Sequence, residues 1–359
     1  MHYNLLPGTD IKVSKICLGT MTFGKQNSEA DGHDQMAYAL NQGVNFFDTA
    51  ELYPVPASRS TQGETERIIG TWFNKSGNRD KVILATKVAG PGDYTKHIRE
   101  NLSFKKAHID EAINKSLKRL QTDYIDLYQL HWPERTTNTF GKRNFKFNPN
   151  DPWIENFEAV LDSLEENIKV GKIRRIGLSN ENPWGIMRFL QASRSSATKI
   201  ITVQNPYSLL NRLFEIGSAE ICHRENIGLL AYSPLAFGVL SGKYRNGQIP
   251  SNSRLALFER LARYSGERSF EATDRYADLA DKVGLTLTEL SLAFANDRSF
   301  VTSNIIGATT LSQLKENIAT YQVKLSNEVL KAIDAINEEI PNPAPVSYTH
   351  LTLPTILRV

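Results

Sequence analysis

Short apolar runs alternate with amphipathic segments along most of the chain. Each run has the length of a strand, and most lack the regular polar alternation of a strand with one solvated face. The runs therefore predict strands buried on both faces. The predicted strands are 16–20, 45–50, 82–88, 125–131, 173–179, 201–205, 227–233 and 304–308.

In the segments between these runs, apolar residues recur at helical spacing, so that each predicted helix has one apolar face. One segment begins at Thr310, with Gln313 three residues further on, which is the spacing of a capping box. The clearest predicted helices are 109–120, 157–168 and 311–321, and a last helix over 327–336 is expected to pack outside the repeat.

Strand–helix alternation repeated in this way implies parallel strands joined by right-handed crossovers. The predicted fold is therefore an α/β protein, a (β/α)₈ TIM barrel, with an open doubly wound sheet as the alternative. Residues 3–6 and 13–18 flank the turn-forming residues 7–10 and predict an N-terminal β-hairpin.

Two βα loops are long, 132–152 and 236–270, and loops of this length in a barrel are usually functional. We expect residues 1–345 to form a single domain. The tail, 346–359, follows a proline-rich segment and has neither helical period nor a place in the repeat. We expect this tail to be non-native or disordered.

Composition excludes several classes of protein. The net charge of +3 is small and the basic residues are scattered, so neither a nucleic-acid nor a membrane surface is expected. The two cysteines cannot build a disulfide framework, and no pattern of ligands predicts a metal. No apolar run approaches the roughly 20 residues that span a bilayer. A cytoplasmic protein is expected.

Four polar residues lie at or just beyond the ends of three successive predicted strands, where barrel enzymes carry their chemistry. They are Asp48, Tyr53, Lys87 and His131. Each alone has an ordinary structural explanation, as a cap, a packing residue, a solvent-reaching lysine or a structural histidine. Together they predict an acid catalyst.

The chemistry of this set is direct. A tyrosine phenol has a pKa of about 10, and a neighbouring ammonium such as that of Lys87 is expected to lower it. Asp48 pairs with Lys87, and His131 hydrogen-bonds the substrate oxygen. Tyr53 then protonates that oxygen as a hydride reaches carbon. A barrel hydrolase or aldolase with Lys87 as a Schiff-base nucleophile is disfavoured, because Asp48 and Tyr53 lie beside it.

Several ordered motifs resemble the aldo/keto reductase family, and in particular its Tas-like bacterial branch, which is related to potassium-channel β-subunits. The resemblance covers roughly residues 1–345 and places that family's catalytic tetrad on the four residues above. The motifs are NFFDTAELY, LATKV, QLHWP, IRRIGLSN, VQNPYSLLNR, LLAYSPLAFGVLSGKY and IIGATTLSQLKEN.

A nicotinamide cofactor is the cofactor that this resemblance implies. No GxGxxG motif follows a strand, so a Rossmann site is not supported. Ser179, Asn180 and Gln204 end two predicted strands and offer hydroxyl and amide groups to the carboxamide, while the ring of Tyr232 is placed to stack on nicotinamide. The other implied contacts are Thr20, Met21, Ser233, Pro234, Leu235, Ala236, Gly238, Leu240, Gly242, Lys243, Arg254, Gly307, Thr309, Gln313, Glu316 and Asn317.

The choice between NADPH and NADH depends on positive charge near the adenosine. Many family members carry a basic residue in the motif after the last strand, but 307–310 here is uncharged. A preference for NADPH over NADH then rests on Arg254, Lys243 and the helix N-terminus at Thr310.

The predicted function is therefore an NADPH-dependent oxidoreductase that reduces aldehydes or ketones to alcohols, with Tyr53 as the general acid. The alternative is a cofactor-binding regulatory subunit like the channel β-subunits, with incidental turnover. Trp132 and the two long loops are expected to bind the small carbonyl substrate. No feature of the sequence predicts an oligomeric state.

Overall fold

A closed barrel of parallel strands forms the centre of the protein. The structure is a computed structural model and describes residues 1–258 and 263–344. Neighbouring strands pair in chain order, and the last pairs with the first to close the ring. The predicted (β/α)₈ TIM barrel is confirmed. Its strands are β3 (Ile16–Gly19), β4 (Phe46–Asp48), β5 (Ile83–Val88), β6 (Ile125–Leu130), β7 (Ile173–Ser179), β8 (Ile200–Pro206), β9 (Gly228–Tyr232) and β10 (Val301–Ile306).

The predicted hairpin is also present and packs against one end of the barrel. Strand β1 (Tyr3–Leu5) pairs antiparallel with β2 (Lys12–Ser14). Leu6 and Val13 join the apolar cluster of the barrel interior. The second hairpin strand does not continue to residue 18 as predicted: it ends at Ser14, and after Lys15 the chain continues as a barrel strand.

Helices surround the barrel and confirm the predicted amphipathic segments. The predicted capping box at Thr310 is only half present. The Thr310 hydroxyl accepts the Gln313 N–H, but the Gln313 side chain accepts the Thr309 N–H at 3.0 Å. The helices are α1 (Glu29–Asn41), α2 (Glu64–Ser76), α3 (Lys106–Leu120), α4 (Phe157–Lys169), α5 (Pro183–Ala192), α6 (Ser218–Glu225), α7 (Arg254–Leu257), α8 (Glu267–Lys282), α9 (Leu287–Asp297), α10 (Leu311–Ala319) and α11 (Asn327–Glu339).

Strand β6 illustrates why the runs are apolar on both faces. Every one of its residues is buried. Leu127 packs inside the barrel, whereas Tyr128 and Leu130 pack in the layer between barrel and helices. Burying one large apolar side chain contributes about 1.5–3 kcal/mol, so both faces stabilise the fold.

Two long connections leave the same end of the barrel, after β6 and after β9. The connection after β6 is held at its start by Arg135, which pairs with both oxygens of Glu181 at 2.9 and 2.6 Å. The predicted tail, 346–359, lies outside the described residues. Within the described ranges, no helix has the length and apolarity needed to cross a membrane.

Candidate active site

Asp48, Lys87 and His131 lie at the carboxyl ends of three neighbouring strands. Asp48 is the last residue of β4, Lys87 is near the end of β5 and His131 directly follows β6. The Lys87 ammonium donates to Asp48 Oδ2 at 2.7 Å and to the Thr49 carbonyl at 2.8 Å. Since both side chains are almost completely buried, this is an ion pair inside the barrel mouth.

Tyr53 completes the group from the loop after β4. Its ring centroid lies 5.0 Å from Lys87 Nζ and 5.7 Å from the centroid of the His131 ring. The structure therefore brings together all four residues of the predicted tetrad.

The electrostatics of Tyr53 differ from the sequence-based expectation that the lysine lowers its pKa. Burial, and then the Asp48 carboxylate, raise the pKa of Tyr53 far above its usual value, and the Arg254 guanidinium opposes them. The charge of Lys87 is already neutralised by Asp48 at short range. The phenol is therefore fully protonated at neutral pH, and it can act as a proton donor.

His131 is held neutral. Burial, followed by the charge of Lys87, lowers the pKa of His131 well below its usual value. Its Nδ1 atom has no hydrogen-bond partner among the residues that the structure describes. A neutral imidazole keeps one N–H, so it can still donate a single hydrogen bond.

The second oxygen of Asp48 accepts two side-chain amides. Gln204 Nε2 donates to Oδ1 at 2.8 Å and Gln129 Nε2 at 3.2 Å. Gln204 was predicted to bind a carboxamide, yet here its amide belongs to the tetrad network. Gln129 was not singled out from the sequence, although it lies inward on β6 directly beside Lys87.

Ser179, Asn180 and Tyr232 form a connected chain next to His131. The Tyr232 hydroxyl donates to Asn180 Oδ1 at 2.7 Å, and Asn180 Nδ2 donates to the His131 carbonyl at 2.9 Å. Ser179 Oγ donates to the Gln204 carbonyl at 3.0 Å. These predicted cofactor residues therefore share one edge of the mouth.

The turn after β9 has an unusual backbone. Ser233, Ala236 and Phe237 have φ of 56°, 48° and 59°, and Gly238 has φ of 94°. Left-handed residues other than glycine are uncommon and cluster at functional sites. Among the other predicted contacts in this turn, Pro234 and Leu240 are buried and Leu235 is half-buried. Gly242 also has a positive φ.

Basic side chains lie over this turn. A Cβ at Gly238 would fall 2.9 Å from Lys243 Nζ, so the lysine covers the bare backbone there. The Arg254 guanidinium lies 5.0 Å from the centre of the Phe237 ring, and Arg263 lies 5.5 Å from that same ring. Burial raises the pKa of Tyr232, and the Arg263 guanidinium opposes that rise. These contacts place Arg254 and Arg263 at the mouth.

The turn after β10 leads into the N-terminus of α10. Gly307 is exposed, and no atom lies within 4 Å of the place where a Cβ would stand. Asn317 Nδ2 donates to the Gly307 carbonyl at 3.2 Å, and the Thr309 amide donates to Gln313 Oε1. Glu316 is exposed on the same helix.

Thr20 and Met21 begin the loop after β3. The Thr20 hydroxyl donates to the Asp48 carbonyl at 2.8 Å, and the Met21 carbonyl accepts the Val55 N–H at 3.3 Å. Asn27, further along this loop, donates to the Thr309 carbonyl at 3.0 Å. The loop therefore connects the tetrad to the turn after β10.

Trp132 forms an aromatic wall beside His131, at 4.9 Å between ring centroids. Its Nε1 donates to the Pro91 carbonyl at 2.9 Å. Tyr94 stacks on it and Phe140 meets it edge-on, both at 5.6 Å. Trp132 and the long loop that contains Phe140 were predicted for the substrate, whereas Tyr94 carried no recognisable sequence signal.

Comparison with known proteins identifies the family. The sequence profile of the Aldo/keto reductase family matches residues 15–338. The chain belongs to the aldo/keto reductase family. It is similar to Protein tas of Escherichia coli (strain K12), with 48% identity over 96% of this chain and 100% of that protein. It is also similar to the uncharacterized oxidoreductase YrpG of Bacillus subtilis (strain 168), with 34% identity over 96% of this chain and 97% of that protein.

As a member of the aldo/keto reductases, the chain is an oxidoreductase that acts on small molecules with a nicotinamide cofactor, NADH or NADPH. An "Aldo-keto reductase" of Babesia bovis is 39% identical over 66% of this chain and 88% of its own length. Across residues 1–258 and 263–344, no group of three or more histidine, cysteine or acidic side chains is placed to hold a metal.

Proposed function

We propose that this aldo/keto reductase reduces an aldehyde or ketone to an alcohol with NADPH, and that Tyr53 is the general acid. The observation that carries the proposal is the buried Lys87–Asp48 ion pair, with the Tyr53 ring 5.0 Å from the ammonium and the neutral His131 ring across from it. This arrangement supports the transfer of a proton to a carbonyl oxygen held between Tyr53 and His131.

The residues divide this task. When bound, reduced nicotinamide supplies the hydride that adds to the carbonyl carbon. His131 donates a hydrogen bond to the carbonyl oxygen and polarises it. The Tyr53 O–H bond breaks and its proton goes to that oxygen, which completes the alcohol. Burial and the Asp48 carboxylate disfavour the phenolate left behind, and solvent returns its proton.

The residues around the mouth fit a nicotinamide dinucleotide. The side-chain amides of Asn180, just after β7, and Gln204, on the adjacent β8, are suited to a carboxamide, which would exchange for their present bonds to the His131 carbonyl and Asp48. In the turn after β9, the bare backbone of Gly238 lies under an ammonium, which suits a phosphate. At the N-terminus of α10, Gln313 Oε1 accepts the Thr309 N–H, as an anion would.

NADPH, rather than NADH, requires positive charge for the 2′-phosphate. Lys243 and Arg254 supply two cations on the loop after β9, and both lie at the mouth. Arg254 lies over the Phe237 ring of this loop, and its charge opposes the rise that burial gives to the pKa of Tyr53, so the guanidinium would have to turn toward the phosphate when NADPH binds.

We also propose that residues 1–345 act as one catalytic unit and that the protein works in the cytoplasm. Cys17 and Cys222 are both free and buried, which supports a compartment where disulfides are not needed.

The test is turnover by the purified protein across a panel of aldehydes and ketones that includes a nitro-aromatic aldehyde. NADPH absorbance should fall with wild type. Tyr53→Phe should lose nearly all turnover yet bind NADPH normally in a fluorescence-quenching titration, because only the donated proton is removed. Tyr276→Phe, at a buried tyrosine of α8, is the matched control and should retain activity.

Two results would count against the proposal. Wild-type turnover in Tyr53→Phe would remove Tyr53 from the acid role. Absence of NADPH consumption with every carbonyl in the panel would remove the reductase function itself.

A further inference from the structure

Glu51 ties the segment that carries Tyr53 to the end of β5. Its backbone N–H donates to the Lys87 carbonyl at 3.2 Å, and its carboxylate Oε1 accepts the Ala89 N–H at 2.7 Å. Gln62 Nε2 in turn donates to the Glu51 carbonyl at 2.8 Å. Glu51, two residues before Tyr53, is therefore bonded to Lys87 and to Ala89, the two residues that flank Val88 at the end of β5.

Arg99 completes this junction. Its guanidinium pairs with Glu51 Oε1, and the two side chains are 4% and 1% exposed. No second carboxylate lies within ion-pair distance of Arg99 in residues 1–258 and 263–344. The segment that leads to Arg99 contains Tyr94, which stacks on Trp132. One carboxylate thus joins the Tyr53 segment, the end of β5 and the segment of the aromatic wall.

The pair does not touch the reacting groups. The Glu51 charge raises the pKa of Tyr128, which lies in the layer between the barrel and its helices. Glu51 therefore faces away from the barrel interior that holds Lys87 and Asp48. Any influence on catalysis has to pass through the backbone to Tyr53.

A buried ion pair is a poor source of stability, because desolvation offsets the attraction. Charge-assisted hydrogen bonds are, however, strongly directional. A misplacement of about 1 Å in a catalytic group can cost roughly 100-fold in rate. We propose that Glu51 and Arg99 are positioning residues, which hold Tyr53 against Lys87 and His131 for proton transfer. This inference rests on the proposed role of Tyr53 as the acid.

The test compares Glu51→Gln with Asp126→Asn. Asp126 is a close match, since its buried Oδ2 accepts a β5 backbone N–H, that of Leu84, at 2.9 Å and pairs with Arg79 at 2.9 Å. Asp126 lies at the start of β6, at the opposite end of the barrel from the tetrad. Both changes keep the shape of the side chain and remove one buried charge.

In Glu51→Gln, kcat should fall at least tenfold while the KM for NADPH stays within twofold, and amide hydrogen exchange in residues 49–63 should accelerate. Asp126→Asn should lower the melting temperature but leave kcat and exchange in 49–63 unchanged. Arg99→Lys, which retains the charge, should lose less kcat than Arg99→Met. If Glu51→Gln does not fold, the comparison of Arg99→Lys with Arg99→Met tests the proposal in its place.

Wild-type kcat in Glu51→Gln, together with an inactive Tyr53→Phe, would overturn the positioning role and leave the proposed function standing. Equal turnover in wild type and Tyr53→Phe would overturn the proposed function, and with it the role of the pair in proton transfer. If amide hydrogen exchange in residues 49–63 is unchanged in both Glu51→Gln and Arg99→Met, the pair does not hold this segment in place, whatever the activity of the variants.

Discussion

The Lys87 ammonium lies 2.7 Å from the Asp48 carboxylate, and the two side chains are 0% and 4% exposed. Removing one partner of such a pair leaves an uncompensated buried charge, which typically costs about 3–5 kcal/mol. Asp48→Asn should therefore lower the free energy of unfolding by roughly that amount, measured by urea denaturation.

The double variant Asp48→Asn/Lys87→Met should recover part of this stability, since both charges are gone, but should remain inactive in the NADPH assay. If the double variant regained activity as well, the pair would be structural and the tetrad assignment would be wrong.

The pH dependence of kcat/KM follows from the two shifted groups. His131 has a lowered pKa, so it stays neutral as the pH falls through 6.5, the ordinary histidine value. Tyr53 has a raised pKa, so it stays protonated as the pH rises through 10. We expect no histidine or tyrosine titration in kcat/KM between pH 6 and 9, measured with wild type in a constant-ionic-strength buffer series. A loss of activity centred near pH 6.5 that disappears in His131→Asn would contradict the neutral imidazole.

Arg254 provides the test of cofactor preference. A guanidinium that pairs with two oxygens of the 2′-phosphate discriminates NADPH from NADH. Arg254→Ala should raise the KM for NADPH at least tenfold, or about 1.4 kcal/mol, and change that for NADH little.

Arg245→Ala is its control, because Arg245 lies on the same loop but makes an exposed ion pair with Asp274. An equal fall in kcat with both cofactors would instead indicate that the charge of Arg254 acts on Tyr53 during turnover, and would remove the basis for naming NADPH.

Gly90 packs against the aromatic wall formed by Trp132. A Cβ at this position would overlap the Trp132 indole, so the ring would have to move and lose its hydrogen bond to Pro91. Gly90→Ala should raise the KM for an aromatic aldehyde several-fold without changing that for NADPH.

In the control Gly217→Ala, the new Cβ would meet only Pro183 at 3.6 Å, and kinetics should not change. If Gly90→Ala and wild type have the same KM for aromatic aldehydes, and also for small aliphatic aldehydes, Trp132 does not contact substrate.

Hydrophobic period and strand-end position were sufficient to predict the barrel from sequence and to place the side chains of the proposed tetrad at one mouth. Parallel strands end at one mouth, so Asp48, Lys87 and His131 had to converge once their strands were recognised. Strand ends were less accurate: β10 runs over Val301–Ile306, earlier than the predicted 304–308, because buried polar residues such as Thr302 and Ser303 broke the apolar run.

The contacts that no period encodes were not predicted. Gln129 and Arg99 are polar residues whose partners lie 81 and 48 positions away in sequence, and nothing local indicates those pairings. The pKa of Tyr53 was misjudged for a related reason. The sequence indicates that a lysine lies near Tyr53, but not that burial and the Asp48 carboxylate raise the pKa of Tyr53 by more than a lysine charge could lower it.

Gln204 donates to Asp48 Oδ1 while its strand neighbours border the predicted nicotinamide site. One side chain is therefore shared by the proposed acid catalyst and the proposed cofactor pocket. Residues in one hydrogen-bond network show non-additive mutational effects. We therefore expect epistasis between positions 48 and 204, because any substitution of Gln204 also removes a hydrogen bond from the Asp48 carboxylate near Tyr53.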